Sequence, residues 1–118
     1  DILSLHVPLA EDTRYLVNLE MLRRFQKPIY LINTSRGQCV DTAGLLMAIQ
    51  EGLVTGAALD VLEFESSSFE QLSGENSTLS ALLKSEKVLL SPHIAGWTYE
   101  SNQKMADVLF EKILKLRG

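Results

Sequence analysis

The sequence predicts an α/β domain: a parallel sheet with helices on both faces. Strand-like and helix-like segments alternate along the chain, the pattern of parallel strands joined by crossover helices. The second strand candidate, Ile29-Tyr30-Leu31-Ile32, is apolar at every position, as in a strand covered on both sides. At 118 residues the chain is long enough for one domain with a core and too short for two.

Residues 1–6 read as a short buried strand with Ile2, Leu3 and Leu5 apolar, and Pro8 ends it because proline cannot donate to a sheet ladder. Asn18 is a good N-cap for a helix over 19–25, where Leu19, Leu22 and Phe25 share a face. Lys27-Pro28 breaks that helix. The strand 29–32 leads into a polar turn, 33–37. Asp41 or Thr42 can cap a helix through Gln50, and Gly52 supplies its stop. A third strand is expected at 56–61, where Gly56, Ala57 and Ala58 permit close packing against a helix. Residues 63–79, rich in Ser, Glu and Gly, read as a long loop, and long loops in compact domains are often functional. A short helix at 80–85, a strand at 87–90 and a loop at 91–97 come next. Thr98 caps a last helix running to about Leu116.

The apolar fraction of 46% and charged fraction of 22% are those of a globular domain, not of a disordered or fibrous chain. The net charge is −4 with both signs interspersed, so there is no basic stripe for nucleic acid or anionic membrane. Lys104, Lys112, Lys115 and Arg117 come nearest, but Asp107 and Glu111 interrupt them, as on a solvated helix face. One cysteine, Cys39, excludes an internal disulfide and offers no zinc-site spacing, so no metal is expected and a reducing compartment fits best. No apolar run approaches the roughly 20 residues that span a bilayer. Residues 1–10 lack a signal-peptide pattern. The expected location is the cytoplasm. The chain opens without Met, directly in strand-like sequence, which reads as a cut inside a larger protein.

In open parallel sheets, ligands gather at the carboxyl ends of the strands. Three segments lie there: 33–37, 60–65 and 91–96. Arg36 follows a strand, and its planar fork suits a carboxylate held by two hydrogen bonds, although a surface ion pair would use it equally. His93 lies between Pro92 and the small pair Ala95-Gly96, and histidine moves protons near neutral pH. Its structural alternative is a satisfied loop histidine. Glu63 and Glu65 open the long loop, and a carboxylate beside His93 would favour the imidazolium; as solvated loop residues they need no partner. Asp60 ends an apolar strand, where its charge needs a hydrogen-bonding partner. Together, Arg, Glu and His at successive strand mouths form a site for a carboxylate-bearing substrate that needs a proton.

These residues are recognisable. Ile32–Gly37 (INTSRG), Ala57–Val61 (AALDV) and Ser91–Gly96 (SPHIAG), preceded by Leu5-His6-Val7-Pro8-Leu9, occur in order and resemble the D-isomer-specific 2-hydroxyacid dehydrogenases. That family includes phosphoglycerate, D-lactate and glyoxylate enzymes. The resemblance covers nearly the whole chain. It implies part of a doubly wound, Rossmann-like parallel sheet and reversible hydride transfer between a nicotinamide cofactor, NAD or less commonly NADP, and a 2-oxo or 2-hydroxy acid.

By the same resemblance Arg36 binds the substrate carboxylate, His93 is the proton donor or acceptor, and a glutamate a few residues after Asp60 bonds the histidine. Register favours Glu65 over Glu63 for that role, although Ser66 stands where the family usually has proline. Val7, Thr34, Ser35, Arg36, Asp60, His93 and Gly96 match positions on the nicotinamide half, with Asp60 on the carboxamide side. The phosphate-cradling GxGxxG turn is absent from this sequence, as is the acidic residue that reads the adenosine ribose. Residues 1–97 are thus expected to be the C-terminal portion of an NAD-binding domain. Residues 98–118 are expected to be a helix returning toward a substrate domain. Trp97 is expected either to line the substrate cleft or to pack beneath that helix, the second slightly favoured. The isolated piece should turn over weakly or not at all and should self-associate through its unpaired strand edge, whereas the intact parent resembles a homodimer. A non-catalytic, corepressor-like NAD-binding module of the same family is the alternative. A hydrolase using Cys39 or Ser35 with His93 fits less well, because there is no nucleophile-elbow pattern.

Overall fold

A computed structural model describes residues 1–64 and 77–117. Strands β1 (Ile2–Leu5), β2 (Ile29–Asn33), β3 (Val54–Leu59) and β4 (Val88–Leu90) form one sheet in the order β1-β2-β3-β4. Every neighbouring pair is parallel. The helices are α1 (Leu19–Leu22), α2 (Thr42–Gln50), α3 (Ser77–Lys84) and α4 (Tyr99–Arg117), and Gly37–Cys39 forms a 3-10 turn.

This strand order has a consequence for packing. Parallel strands added one after another in the same direction, each through a right-handed crossover, carry every connection to the same side of the sheet. On that side Leu5, Ile29, Leu31, Val54 and Leu59 meet Val17, Leu22, Leu45 and Leu82 in one buried core. On the other side Ile2 is 68%, Tyr30 52% and Leu89 72% exposed. The expected helices on both faces are therefore found on one face among the described residues. An apolar run such as Ile29–Ile32 reports tolerance of burial on both sides, and the described residues supply cover on only one. The residues 1–6 strand is likewise half-buried: Leu5 lies in the core, whereas Ile2 lies on the open face.

Local rules account for the element ends. Asn18 caps α1 as expected, its Oδ1 accepting the Met21 N–H at 2.9 Å; the helix is a single turn, ending at Leu22 and not Phe25. Neither Asp41 nor Thr42 caps α2 through its side chain. Instead Glu63 Oε2, from the chain beyond β3, accepts the Thr42 N–H at 2.7 Å. Gly52 stops α2 with φ 76°, a left-handed conformation that costs glycine little. Strand β3 begins at Val54, two residues before the expected start, and α3 begins at Ser77, inside the expected loop. Strand β3 takes in the β-branched pair Val54-Thr55, which suits a pleated strand, whereas α3 grows into residues 77–79, where composition favoured a loop.

Thr98 caps α4, its Oγ1 accepting the Ser101 N–H at 3.0 Å. That helix stands away from the core, with Met105 60%, Leu109 60% and Phe110 63% exposed. The radius of gyration, 17.3 Å, exceeds the roughly 13.5 Å of a compact chain this long. Trp97 is 80% exposed, so it does not pack beneath α4. The expectation failed because the helix that was to cover Trp97 projects outward.

Candidate active site

Three loops leave the carboxyl ends of β2, β3 and β4, and backbone hydrogen bonds continue between them past the strands. The Asp60 N–H donates to the Asn33 carbonyl at 2.9 Å, the Ser91 N–H to Leu59 at 3.1 Å, and the His93 N–H to Asp60 at 2.9 Å. The turn carrying Arg36 and the turn carrying His93 are therefore each hydrogen-bonded to the end of β3, which lies between them.

Asn33 shapes the first turn. It is fully buried, so its amide must find partners within the protein. Its Oδ1 accepts the Ser35 N–H at 3.0 Å and the Ser35 hydroxyl at 2.8 Å, and its Nδ2 donates to the Arg36 carbonyl at 2.9 Å. This is an Asx-type turn, in which a side-chain amide stands in for backbone partners. Arg36 then leaves the turn in an extended conformation with an exposed side chain, and its Nη1 donates to the Ser35 carbonyl at 2.7 Å. Among the described residues no carboxylate forms an ion pair with it. Gly37 comes next, under tight constraint. A Cβ there would collide with the Leu62 carbonyl group. The chain after β2 thus runs hard against the chain after β3.

Asp60 shapes the second and third loops. It is 5% exposed, yet three donors converge on its carboxylate. The Ser91 hydroxyl lies 2.6 Å and the Ile94 N–H 2.9 Å from Oδ1, and the Ala95 N–H lies 2.9 Å from Oδ2. Burial works to raise the Asp60 pKa. The Ser91, Ala95 and Ile94 hydrogen bonds and the nearby His93 charge outweigh it and hold the carboxyl below its ordinary value. His93, at the centre of the bonded loop, has φ 57°, an uncommon left-handed conformation for a residue with a Cβ. The ring of bonds from Asp60 to the flanking residues over-determines that conformation, as is usual where strain is retained. The His93 side chain is exposed.

The remaining candidates divide. Ser35 is buried in the Arg36 turn, Thr34 is exposed, and Val7 lies half-buried after β1. Gly96 faces open space, since a Cβ there would meet nothing within 4 Å. Glu63 spends one carboxylate oxygen on the start of α2. Glu65 lies outside the described residues. The second histidine, His6, sits one residue past β1 with Nε2 2.8 Å from the Ser4 hydroxyl. Cys39 is completely buried, which removes it as an accessible nucleophile. Sequence reasoning missed Asn33 and Ser91 as builders of the site. Asn33 had a signal, an Asn-x-Ser spacing at a strand end; Ser91 had none, because its partner is 31 residues away.

The described residues include no group of His, Cys, Asp and Glu able to hold a metal ion, and no helix long and apolar enough to cross a membrane. A carboxylate oxygen offers two acceptor directions. Asp60 Oδ2 takes one hydrogen bond and so retains one for a carboxamide N–H. Gly96, with open space around it, follows Ala95, the donor to Oδ2, so the residues present fit the nicotinamide half of a dinucleotide. Among the described residues, no glycine-rich strand-to-helix turn fits the pyrophosphate.

The chain resembles known proteins over nearly its whole length. Residues 1–95 match the family described as D-isomer specific 2-hydroxyacid dehydrogenase, NAD binding domain. A glyoxylate reductase of Thermofilum pendens is 44% identical over 114 residues, 97% of this chain and 31% of that protein. A D-specific alpha-keto acid dehydrogenase of Enterococcus faecium is 40% identical over 119 residues, 98% of this chain and 36% of that protein. The crystal structure of a D-isomer specific 2-hydroxyacid dehydrogenase from Lactobacillus delbrueckii ssp. bulgaricus, in its NAD complexed form, superposes with a TM-score of 0.80 at 35% identity. That match covers 99% of this chain and 37% of the other. The chain spans about a third of the length of the curated relatives it matches.

Proposed function

The chain belongs to the NAD-binding domains of the D-isomer-specific 2-hydroxyacid dehydrogenases, and from that premise we propose that it supplies the substrate-anchoring and proton-transferring side of a 2-oxo acid reductase site. The observation that carries the reading is the bonded series Asn33–Asp60–His93, which roots Arg36 and His93 on turns flanking one strand end. A nicotinamide bound on this side would supply or accept the hydride at C2 of the acid. Arg36, exposed and without a carboxylate partner among the described residues, takes the substrate carboxylate with its planar fork. His93 gives a proton to the carbonyl oxygen in reduction and takes one from the hydroxyl in oxidation. Asp60 holds the His93 loop and offers its remaining acceptor direction to the carboxamide, while Val7, Thr34, Ser35 and Gly96 border the ring. Glu65 is the residue proposed to orient the histidine.

The substrate class is a small 2-oxo acid, with glyoxylate, pyruvate and phosphoglycerate-type acids as first members to test. The family match ends at residue 95 and α4 projects with apolar residues exposed. Both support reading residues 1–97 as the NAD-binding portion and 98–118 as a helix leading to a further domain. The intact protein is proposed as a cytoplasmic homodimer on the family resemblance.

The test is NADH oxidation by the full-length protein against a panel of 2-oxo acids, wild type beside His93→Gln. Turnover that falls by about 10²–10⁴-fold in the variant is expected. A wild type that binds NADH and reduces none of the acids would overturn the reading in favour of a non-catalytic NAD-binding module.

A further inference from the structure

We infer that Asn33 is a positioning residue for substrate binding, setting the place of Arg36 while leaving His93 to Asp60. The inference rests on the proposed role of Arg36 and deepens it. A fully buried amide at the carboxyl end of β2 has no need of Ser35 or Arg36 for the sheet itself, since its backbone already pairs within the ladder. Its side chain instead makes three hydrogen bonds, all to the next three residues: two accepted from Ser35 and one donated to Arg36. These fix the backbone on the near side of Arg36. On the far side, Gly37 is pressed against the Leu62 carbonyl. The Arg36 backbone is therefore constrained on both sides, and its exposed side chain rests on the Ser35 carbonyl through Nη1 at 2.7 Å. An arginine that must meet a planar carboxylate with two parallel bonds gains from such a fixed base, because the bidentate geometry tolerates little displacement.

The division of labour is set by which atoms are used. The Asn33 side chain serves only the Arg36 turn, whereas its carbonyl oxygen receives the Asp60 N–H. The His93 loop hangs from the Asp60 carboxylate and carbonyl. Altering the Asn33 side chain should disturb the carboxylate anchor and spare the proton-transfer group. A residue that merely filled the core would disturb both together.

The experiment uses the full-length protein with NADH bound and oxamate, an unreactive analogue of a 2-oxo acid, as probe. Wild type, Asn33→Ala, Arg36→Lys and the double variant are titrated with oxamate and assayed for KM, kcat and the pH profile of kcat/KM. Asn33→Ala is expected to weaken oxamate and raise KM by roughly 10- to 100-fold, with NADH affinity falling less than oxamate affinity and the pH profile unchanged. The Arg36→Lys effect should shrink in the Asn33→Ala background, as for two residues acting through one contact. Should Asn33→Ala fail to fold, Asn33→Asp, which keeps the acceptor for Ser35 and loses the donor to the Arg36 carbonyl, should weaken oxamate in the same direction at smaller size. Oxamate binding unchanged by Asn33→Ala but weakened by Arg36→Lys would overturn the inference and leave the site reading intact. Parallel loss of oxamate affinity, NADH affinity and thermal stability would reduce Asn33 to a core residue. Oxamate binding indifferent to Arg36→Lys would overturn the site reading itself.

Discussion

Replacing Asp60 by Asn tests the idea that one buried carboxylate builds the His93 loop. The substitution is nearly isosteric, so its effect is electronic. The amide oxygen can still serve Ser91 and Ile94 at Oδ1, but the amide nitrogen then faces the Ala95 N–H, donor against donor. Hydrogen bonds to a charged group are worth about 1.5–3 kcal/mol and neutral ones about 1 kcal/mol. The two retained bonds thus weaken by about 1 kcal/mol each, and the lost one costs about 2 kcal/mol. Relief from burying a charge offsets about 1–2 kcal/mol of this. The net expectation is a loss of about 2–3 kcal/mol, readable as a lower urea midpoint with an unchanged slope. The backbone amides of Ile94 and Ala95 should lose protection from hydrogen exchange before the strands do.

The same residue dictates an acid dependence. The Asp60 carboxyl is held below its ordinary value of about 3.9. A group with a depressed folded pKa contributes stability that is complete above its unfolded value and lost as pH falls through its folded value. The gap between wild type and Asp60→Asn should therefore be constant above about pH 5 and narrow progressively below about pH 4. A gap below about 0.5 kcal/mol at neutral pH, or one that does not narrow in acid, would refute the assignment of the loop to this carboxylate.

Three further outcomes are dictated by the geometry. Gly37→Ala drives a methyl into the Leu62 carbonyl group and should destabilise by at least about 3 kcal/mol, measured by thermal unfolding. Glu63→Gln removes the charge from the start of α2 and should cost about 1 kcal/mol, more than Asp41→Asn, whose side chain makes no capping bond. Urea midpoints compare the two. Cys39, fully buried, should react with a thiol reagent only at the rate of unfolding, and labelling of the native protein within the mixing time would contradict the packing.

Much of this architecture is legible in the sequence because its signals are local. Asn18 caps the helix that starts beside it, Gly52 stops the helix that ends beside it, and polar turns after apolar runs mark the strand mouths where Arg36 and His93 stand. The parts that escaped reading are those in which a residue is used at a distance. Glu63 closes α2 from 21 residues away, and Asp60 reaches 31 to 35 residues ahead to Ser91, Ile94 and Ala95. Neither partner leaves a periodicity for the other to match.

Tyr30 and Trp97 escaped for a different reason. An apolar side chain records what it can tolerate, while its burial depends on whether another segment arrives to cover it. For the strand order β1-β2-β3-β4, the general right-handedness of crossovers between parallel strands sends each arriving helix to one face. A sequence reading that had fixed the strand order first would have found Tyr30 on the uncovered side. Topology, which is decided by handedness and direction and not by composition, therefore stands between a hydrophobic pattern and a burial pattern. In this chain it also decides the site: because β3 lies between β2 and β4, the one strand end carrying Asp60 can bond to the turns on either side of it.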